Sequence, residues 1–149
     1  MISSSVKLGI NVIIPHPDLV NLYGCTIGDG TKIAAFVEIQ KGVTIGKNCK
    51  IEAFVFIPTG VTIEDNCFIG PHVCFTNDKH PKATNSDGTI QSGKDWKVVK
   101  TFVKKGSSIG ANATIICGVT IGKNALIGAG SVVTKNVDEG LIVVGNPAE

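Results

Sequence analysis

One spacing constrains this chain more than any other property, because a large apolar residue returns at every sixth position without a slip. The residues concerned are Ile27, Ile33, Ile39, Ile45, Ile51, Ile57, Ile63, Ile69 and Phe75. A small or β-branched residue stands two positions before each of them. Neither the 3.6-residue period of a helix nor plain strand alternation keeps a step of six over this length. The pattern predicts short strands joined by corners, with three strands in each turn.

Such a chain is expected to fold as a left-handed parallel β-helix of hexapeptide repeats, an all-β fold whose coils stack about 4.8 Å apart. The period stops after Asp78 and resumes with Val103, which predicts a long loop that contains Trp96. Before the regular repeat, Val12 and Ile14 are expected to belong to one strand, and Val20 and Leu22 to another. We therefore predict a single domain, 1–149: an irregular first coil over 1–24, regular coils over 25–78, an excursion loop over 79–100, further coils over 101–136 and a C-terminal tail over 137–149 that leaves the repeat.

Composition excludes several classes of partner. The net charge of +2 is too small to indicate binding to nucleic acid or to an anionic membrane surface. No apolar run approaches the roughly 20 residues of a membrane span, and the N-terminus lacks the pattern of an export signal. We therefore expect a cytoplasmic protein with no nucleic-acid or membrane partner. Cys49 and Cys67 are expected to stack on one inner face as reduced thiols.

The residue just before each inward position points outward, so three outward columns follow from the repeat. One column is mostly threonine, and the other two become apolar in the later coils. These two are Lys32, Lys50, Phe68, Ser108 and Leu126, and Glu38, Phe56, Cys74, Thr114 and Val132. Apolar columns outside a filled prism indicate burial against another subunit, which favours a homotrimer. The alternative is that they are scattered surface hydrophobes.

Histidine and cysteine spacing predicts no metal site. The three histidines, His16, His72 and His80, do not have the spacing of a three-histidine zinc site shared between β-helix subunits. The cysteines do not form a His–Cys–Cys grouping of the kind that tetrahedral zinc prefers.

The segment GPHVCFTNDKHPKA, residues 70–83, ends the last regular coil before the loop and brings Asn77, Asp78 and His80 to one corner. Here the chain resembles the hexapeptide acyltransferases. The opening HPDLVNLYGCTIGD together with FTNDKHP is similar to a narrower branch, the N-acetyltransferases of nucleotide-linked 3-amino-deoxyhexoses. The later SSIGANATIICGVTIGKNALIGAGSVVTKNV is similar to the part of such enzymes that binds acetyl-CoA. The resemblance covers essentially the whole chain.

The resemblance implies a reaction and its participants. Acetyl-CoA would acetylate the amino group of a dTDP- or UDP-linked 3-amino-deoxy sugar for surface polysaccharide, including lipopolysaccharide, in sites between the subunits of a trimer. Asn77 and Asp78 would orient the amine, while His80 would act as general base or merely line the site. His72 and Trp96 are candidates to contact the substrate. As a structural alternative, Asn77 and Asp78 would simply cap a corner.

The expected coenzyme A residues lie in the later coils. Gly128, Ala129 and Gly130 are small enough for the pantetheine arm to approach closely, and Lys123 and Lys135 could meet the phosphates. Two alternative functions remain open at the level of sequence. One is a sugar O-acetyltransferase with His80 as its base, and the other is a non-catalytic β-helix module.

Overall fold

The computed structural model describes residues 1 to 149 and shows a parallel β-helix with three faces, each a sheet of six short strands. The first face contains Lys7–Leu8, Thr26–Ile27, Thr44–Ile45, Val61–Ile63, Thr101–Val103 and Thr120–Ile121. The second contains Lys32–Ile33, Lys50–Ile51, Phe68–Ile69, Ser108–Ile109, Leu126–Ile127 and Ile142–Val143. The third contains Asn21–Leu22, Glu38–Ile39, Phe56–Ile57, Cys74–Phe75, Thr114–Ile115 and Val132–Val133.

The six-residue period places one large apolar side chain from each strand inside the prism. Ile27, Ile45 and Ile63 are register partners on successive coils of the first face, and each has 1% of its surface exposed. All nine residues of the repeat from Ile27 to Phe75 are buried, which confirms the predicted interior. The predicted outward columns are also confirmed, since Phe68 pairs with Ser108 and Cys74 pairs with Thr114.

Small residues two positions earlier complete the core, and several of them carry hydroxyl groups. The hydroxyl of Thr31 donates to the carbonyl of Gly46 at 2.8 Å, and that of Ser107 lies 2.8 Å from the carbonyl of Gly122. Such bonds remove the cost of burying a polar group. All five cysteines are free, and Cys49 and Cys67 are stacked on the second face as predicted.

Each coil turns at three corners, and residues 18 apart stack there as they do in the faces. The first corner joins the first face to the second and contains Gly30, Asn48, Asn66, Gly106 and Asn124. The second corner joins the second face to the third and contains Phe36, Phe54, His72, Asn112 and Gly130. The third corner joins the third face to the first and contains Lys41, Thr59, Asn77, Cys117 and Lys135.

The excursion, residues 79–100, leaves and returns at the third corner without disturbing the stack. Thr101–Val103 resumes the repeat in register with Val61–Ile63. Glu64 links these two coils at the first corner. Its carboxylate accepts a hydrogen bond from the Lys104 ammonium at 3.0 Å and another from the backbone N–H of Lys105 at 2.9 Å. The Lys104 and Lys105 hydrogen bonds hold the pKa of Glu64 below its usual value.

The N-terminal segment differs from the sequence prediction. Val20 and Leu22 are buried as expected, but Val12 and Ile14 form no strand, and only Ile13 makes a single bridge, to Lys32. The prediction of a strand there was wrong. A three-residue 3-10 helix, Pro17–Leu19, follows the turn that contains His16.

The C-terminal tail leaves the six-residue repeat, as expected, but it stays in the coil. Ile142–Val143 adds the last strand of the second face and pairs with Leu126–Ile127. Val137 makes a bridge to Ile121. The six-residue step is lost here, yet backbone pairing continues because the tail still passes over an open coil end. Nowhere does the chain form a helix with the length and hydrophobicity required to cross a membrane.

Truncation of Ile69 is expected to destabilise the fold strongly, because its side chain is fully buried on the second face. Ile69→Ala is expected to lower the free energy of unfolding by about 3 kcal/mol, because the stacked coils cannot collapse into the cavity. Ile90→Ala is the matched control, since Ile90 is 82% exposed. Urea denaturation measures both, and equal effects would contradict the assigned core.

The hydrogen bonds of Glu64 are expected to make a pH-dependent contribution to the free energy of unfolding. Because its folded pKa is lowered, the stabilisation is present above the unfolded pKa and is lost as the pH falls through the folded pKa. Glu64→Gln is expected to lower the free energy of unfolding at neutral pH by about 0.5 kcal/mol, a small value because the pair is solvent-screened. The difference from wild type should vanish in acid, whereas exposed Glu139→Gln should show no effect at either pH.

Candidate functional site

The third corner is interrupted at Asn77, where the excursion begins. The Asn77 amide nitrogen donates to the carbonyl of Thr59, one coil below, at 3.0 Å. Its backbone carbonyl accepts from Val99 at 2.9 Å, where the excursion returns. Asn77 is half-buried, and no donor in the chain reaches its side-chain oxygen. The residue therefore anchors the corner and still offers one acceptor to a ligand.

Asp78 and His80 follow directly. The Asp78 carboxylate accepts from the backbone N–H of His80 at 3.0 Å, which is the local bond of an Asx turn. His80 itself is exposed. The carboxylate thus positions the chain at His80 and does not bond its imidazole. The structure brings Asn77, Asp78 and His80 to one corner, as the sequence predicted, and their chemical roles stay predictions.

The returning arm of the excursion covers the third corner. Added to Gly60, a Cβ would lie 2.5 Å from the Val98 side chain, and one on Gly118 would lie 3.2 Å from Val99. Trp96 is half-buried just before this arm. Aspartate-centred turns hold the rest of the loop, where hydrogen bonds from Thr89 lower the pKa of Asp87. The excursion is consequently packed against the corner that carries Asn77.

A continuous hydrogen-bond network crosses the third face towards Asn77. Asn21 donates to one oxygen of the Glu38 carboxylate at 2.7 Å, and Gln40 donates to the other at 3.0 Å. The Gln40 side-chain oxygen accepts from the backbone N–H of Thr59 at 3.2 Å, and Thr59 is the residue that Asn77 contacts. Burial raises the pKa of the nearby Tyr23 hydroxyl, and the charge of Glu38 adds to the rise.

The opposite edge of the third face is the second corner, which carries an aromatic stack. The rings of Phe36 and Phe54 are 4.8 Å apart between centroids, and those of Phe54 and His72 are 4.7 Å apart. His72 and Asn77 therefore bound the third face from opposite sides. Sequence reasoning assigns no role to Phe36 and Phe54. Their spacing of one full coil, at corner positions where other coils carry Asn or Gly, is a signal that the sequence does contain.

Cys74 lies on the third face between the second and third corners. Burial raises the pKa of its thiol, which leaves it protonated and weakly nucleophilic at neutral pH. No group of three or more His, Cys, Asp or Glu side chains in the structure is arranged to hold a metal ion.

The predicted coenzyme A residues are spread over three corners of one subunit. Gly130 lies at the second corner, Lys135 at the third, and Lys123 beside the first. Space next to Gly128 is already filled, because a Cβ there would lie 2.6 Å from Val144 of the tail. Gly130 and Ala129 are exposed, and no atom lies within 4 Å of the position of a Cβ on Gly130. Their binding of coenzyme A stays a prediction.

A model of the bacterial transferase hexapeptide family (six repeats) matches residues 24–59, 42–77 and 100–135. The chain belongs to this family. No curated protein sequence matches it significantly.

Three solved structures show what the chain is similar to. A variant of perosamine N-acetyltransferase from Caulobacter crescentus, in complex with CoA and GDP-perosamine, is 22% identical with a TM-score of 0.66 over 96% of this chain and 56% of its own. The acetyltransferase domain of PglB from Neisseria gonorrhoeae, with acetyl coenzyme A, is 21% identical with a TM-score of 0.75 over 94% and 57%. This chain therefore spans just over half the length of these two, and at such identity the likeness shows the fold alone.

The third structure is a variant of AntD, an N-acyltransferase from Bacillus cereus, in complex with dTDP-4-amino-4,6-dideoxyglucose and coenzyme A. It is 26% identical with a TM-score of 0.82, and the match covers 96% of this hexapeptide-family chain and 80% of AntD. The three neighbours are an N-acetyltransferase, an acetyltransferase domain and an N-acyltransferase, each in complex with coenzyme A or acetyl coenzyme A. Two of them also hold a nucleotide-linked amino sugar.

Proposed function

We propose that this protein is an N-acetyltransferase that moves an acetyl group from acetyl-CoA to the amino group of a dTDP- or UDP-linked 3-amino-deoxy sugar. The observation that carries the proposal is the interrupted third corner. There the side-chain oxygen of Asn77 is a free hydrogen-bond acceptor at the end of a polar network. The fold that carries it belongs to the hexapeptide transferase family. AntD, which holds coenzyme A and a dTDP-linked 4-amino sugar, supports a nucleotide-linked amino sugar as the substrate class, and the 3-amino position rests on the sequence resemblance.

The reaction requires alignment more than strong acid–base catalysis. A neutral sugar amine attacks the thioester carbonyl carbon, the tetrahedral intermediate expels the coenzyme A thiolate, and the amine proton leaves with it or passes to a base. Asn77 would accept a hydrogen bond from the amine and aim its lone pair at the carbonyl from about 3 Å. Asp78 would hold the turn that places His80, which would assist proton transfer or line the site.

The active sites are proposed to lie between subunits of a homotrimer. Leu126 on the second face is 43% exposed although the prism interior is full, and Phe68, two coils away in the same column, is 37% exposed. Apolar columns of this kind indicate burial by another copy. Because Gly130, Lys123 and Lys135 lie at different corners, coenzyme A could meet all three only in a cleft between two prisms. His72 and Trp96 would then line the sugar end of that cleft.

The proposed substrates place the protein in the cytoplasm, where acetyl-CoA and nucleotide sugars are made. The product, an N-acetylated nucleotide sugar, would serve a glycosyltransferase that builds surface polysaccharide. A sugar O-acetyltransferase is the second candidate, and it is favoured only by the exposed position of His80, where an imidazole could reach a hydroxyl group.

Activity is tested with a panel of nucleotide-linked amino sugars and acetyl-CoA, following thiol release. Asn77→Ala is expected to lower kcat/KM about 100-fold through misalignment of the amine. His80→Ala should cost less, and His16→Ala, a histidine far from this corner, should cost nothing. A loss of about 10²–10⁴-fold for His80→Ala together with turnover of hydroxyl acceptors would instead identify an O-acetyltransferase. Absence of coenzyme A binding would indicate a non-catalytic module.

The assembly is tested by light scattering. The expected mass is three times that of one chain. Leu126→Lys should reduce it, because a charge on an apolar subunit contact is costly to bury. Thr120→Lys on the first face is the matched control and should leave the mass unchanged. A wild-type mass of one chain would contradict the trimer and the shared site.

A further inference from the structure

The second corner departs from the backbone rule that the rest of the chain obeys. Every residue with a left-handed backbone is Asn or Gly except three, and these three are Phe36, Phe54 and His72, with φ between 61° and 64°. A bulky side chain in this conformation is unusual, because its Cβ crowds the backbone. Strain of this kind is retained where the side chain has a task that a relaxed residue could not perform.

The three rings are stacked on the surface and not in the core. Phe36 and Phe54 are each about half exposed, at 51% and 50%. Their planes differ by 18°, and those of Phe54 and His72 by 8°. One face of Phe36 is covered by Phe54 from the coil above. Its other face is turned towards the coil below, where no aromatic residue continues the stack.

A shallow groove of about 460 Å³, largely open to solvent, lies at this end of the stack. Its walls combine apolar and polar side chains: Leu19, Val20, Phe36, Asp18, Asn21 and Glu38. A flat ring entering the groove would extend the stack by one member, an arrangement that aromatic rings and nucleobases both favour.

The polar wall has the hydrogen-bond pattern of one class of base. Each oxygen of the Glu38 carboxylate accepts a single bond from a neighbouring amide and retains acceptor capacity. The Asn21 amide lies beside it in the groove and has a second N–H, whereas the Gln40 amide lies on its other side, beyond the groove lining and against the Tyr23 hydroxyl. Along the face the order is donor, acceptor, donor, with the Asn21 and Glu38 pair inside the groove. Uracil and thymine present the complementary order, a carbonyl, the N3–H and a second carbonyl, whereas cytosine has no N3–H and guanine has only one carbonyl on this edge.

We propose that this groove binds the uracil or thymine base of the nucleotide sugar, with the base stacked on the open face of Phe36 and its N3–H donated to Glu38. The choice of a nucleotide sugar as the ligand rests on the function proposed above. The groove and Asn77 share the third face, and Glu38 and Cys74 in that face are two coils apart, about 10 Å. Asn77 lies at the opposite edge of that face, so the ribose, the pyrophosphate and the sugar together would cross the face and bring the amine to Asn77.

Calorimetric titration with free dTDP, UDP, CDP and GDP tests which base the groove prefers. Coenzyme A is titrated separately. Wild type is expected to bind dTDP and UDP at least about ten-fold more tightly than CDP and GDP, the scale of one well-placed pair of hydrogen bonds. Glu38→Gln should weaken the binding of dTDP and reduce the difference in affinity between dTDP and CDP, because a glutamine amide can donate a hydrogen bond to cytosine N3. Equal binding of all four nucleotides, or binding of none, would overturn the proposal.

Phe36→Asn tests the stack while restoring the corner residue used by other coils. We expect dTDP affinity to fall about ten-fold, coenzyme A affinity to stay the same, and Tm to be unchanged or higher, because Asn relieves the left-handed strain. Phe102→Thr is the matched control, since it replaces a surface Phe of the first face by threonine, the usual residue of its column. It should change the affinity for neither dTDP nor coenzyme A.

The outcomes separate this groove from the proposed reaction. If Phe36→Asn lowers Tm or the mass of the assembly and leaves dTDP affinity intact, the stack is a packing or subunit contact and the proposal fails. If dTDP binds and both variants weaken it, but no acetyl transfer is found, the groove stands and the reaction is wrong. If acetyl transfer to an amino sugar proceeds while neither variant changes dTDP affinity, the reaction stands and the groove is wrong.

Discussion

Parallel backbone pairing between successive coils is the interaction on which the rest of this structure depends. The N–H of Glu38, for example, bonds the carbonyl of Val55 one coil above at 3.1 Å, and the pattern is repeated on all three faces. This pairing holds residues 18 apart within about 4.8 Å of each other. Any residue type repeated at that interval therefore becomes a ladder, whether it is isoleucine inside the prism or an aromatic ring at a corner. Because the interior admits only one large and one small side chain per strand, chemistry is confined to the corners, the outward columns and the excursion.

The third face concentrates most of the features that could serve a ligand. One edge carries the strained stack of Phe36, Phe54 and His72, and the other carries Asn77 beside the packed excursion. Between them the side chains of Asn21, Glu38 and Gln40 are bonded into one network. A long ligand with a flat ring at one end and a reactive group at the other suits this distribution, whereas a compact ligand would use only part of it.

Much of the fold could be predicted, because the repeat is local. The positions of Ile33 and Cys74, and the stacking of Cys49 on Cys67, follow from counting in steps of six and 18. The pairing of Ile142 with Leu126 could not be predicted, since the two are 16 residues apart and no repeat connects them. For the candidate site, the corner that joins Asn77 to His80 was visible in the sequence. The network through Glu38 was not, because it depends on side-chain torsions that the period leaves free.

The sequence by itself determined which residues face inward, where the coil is interrupted and which residues stack, because burial in a narrow prism recurs at a fixed step along the chain. Only the tertiary structure decided how the irregular segments meet that prism. Val98 lies over Gly60, Val144 fills the space beside Gly128, and the segment at Leu19 forms a groove below Phe36. These contacts join parts of the chain that share no period, so they are set by where the chain returns in space and not by its spacing in sequence.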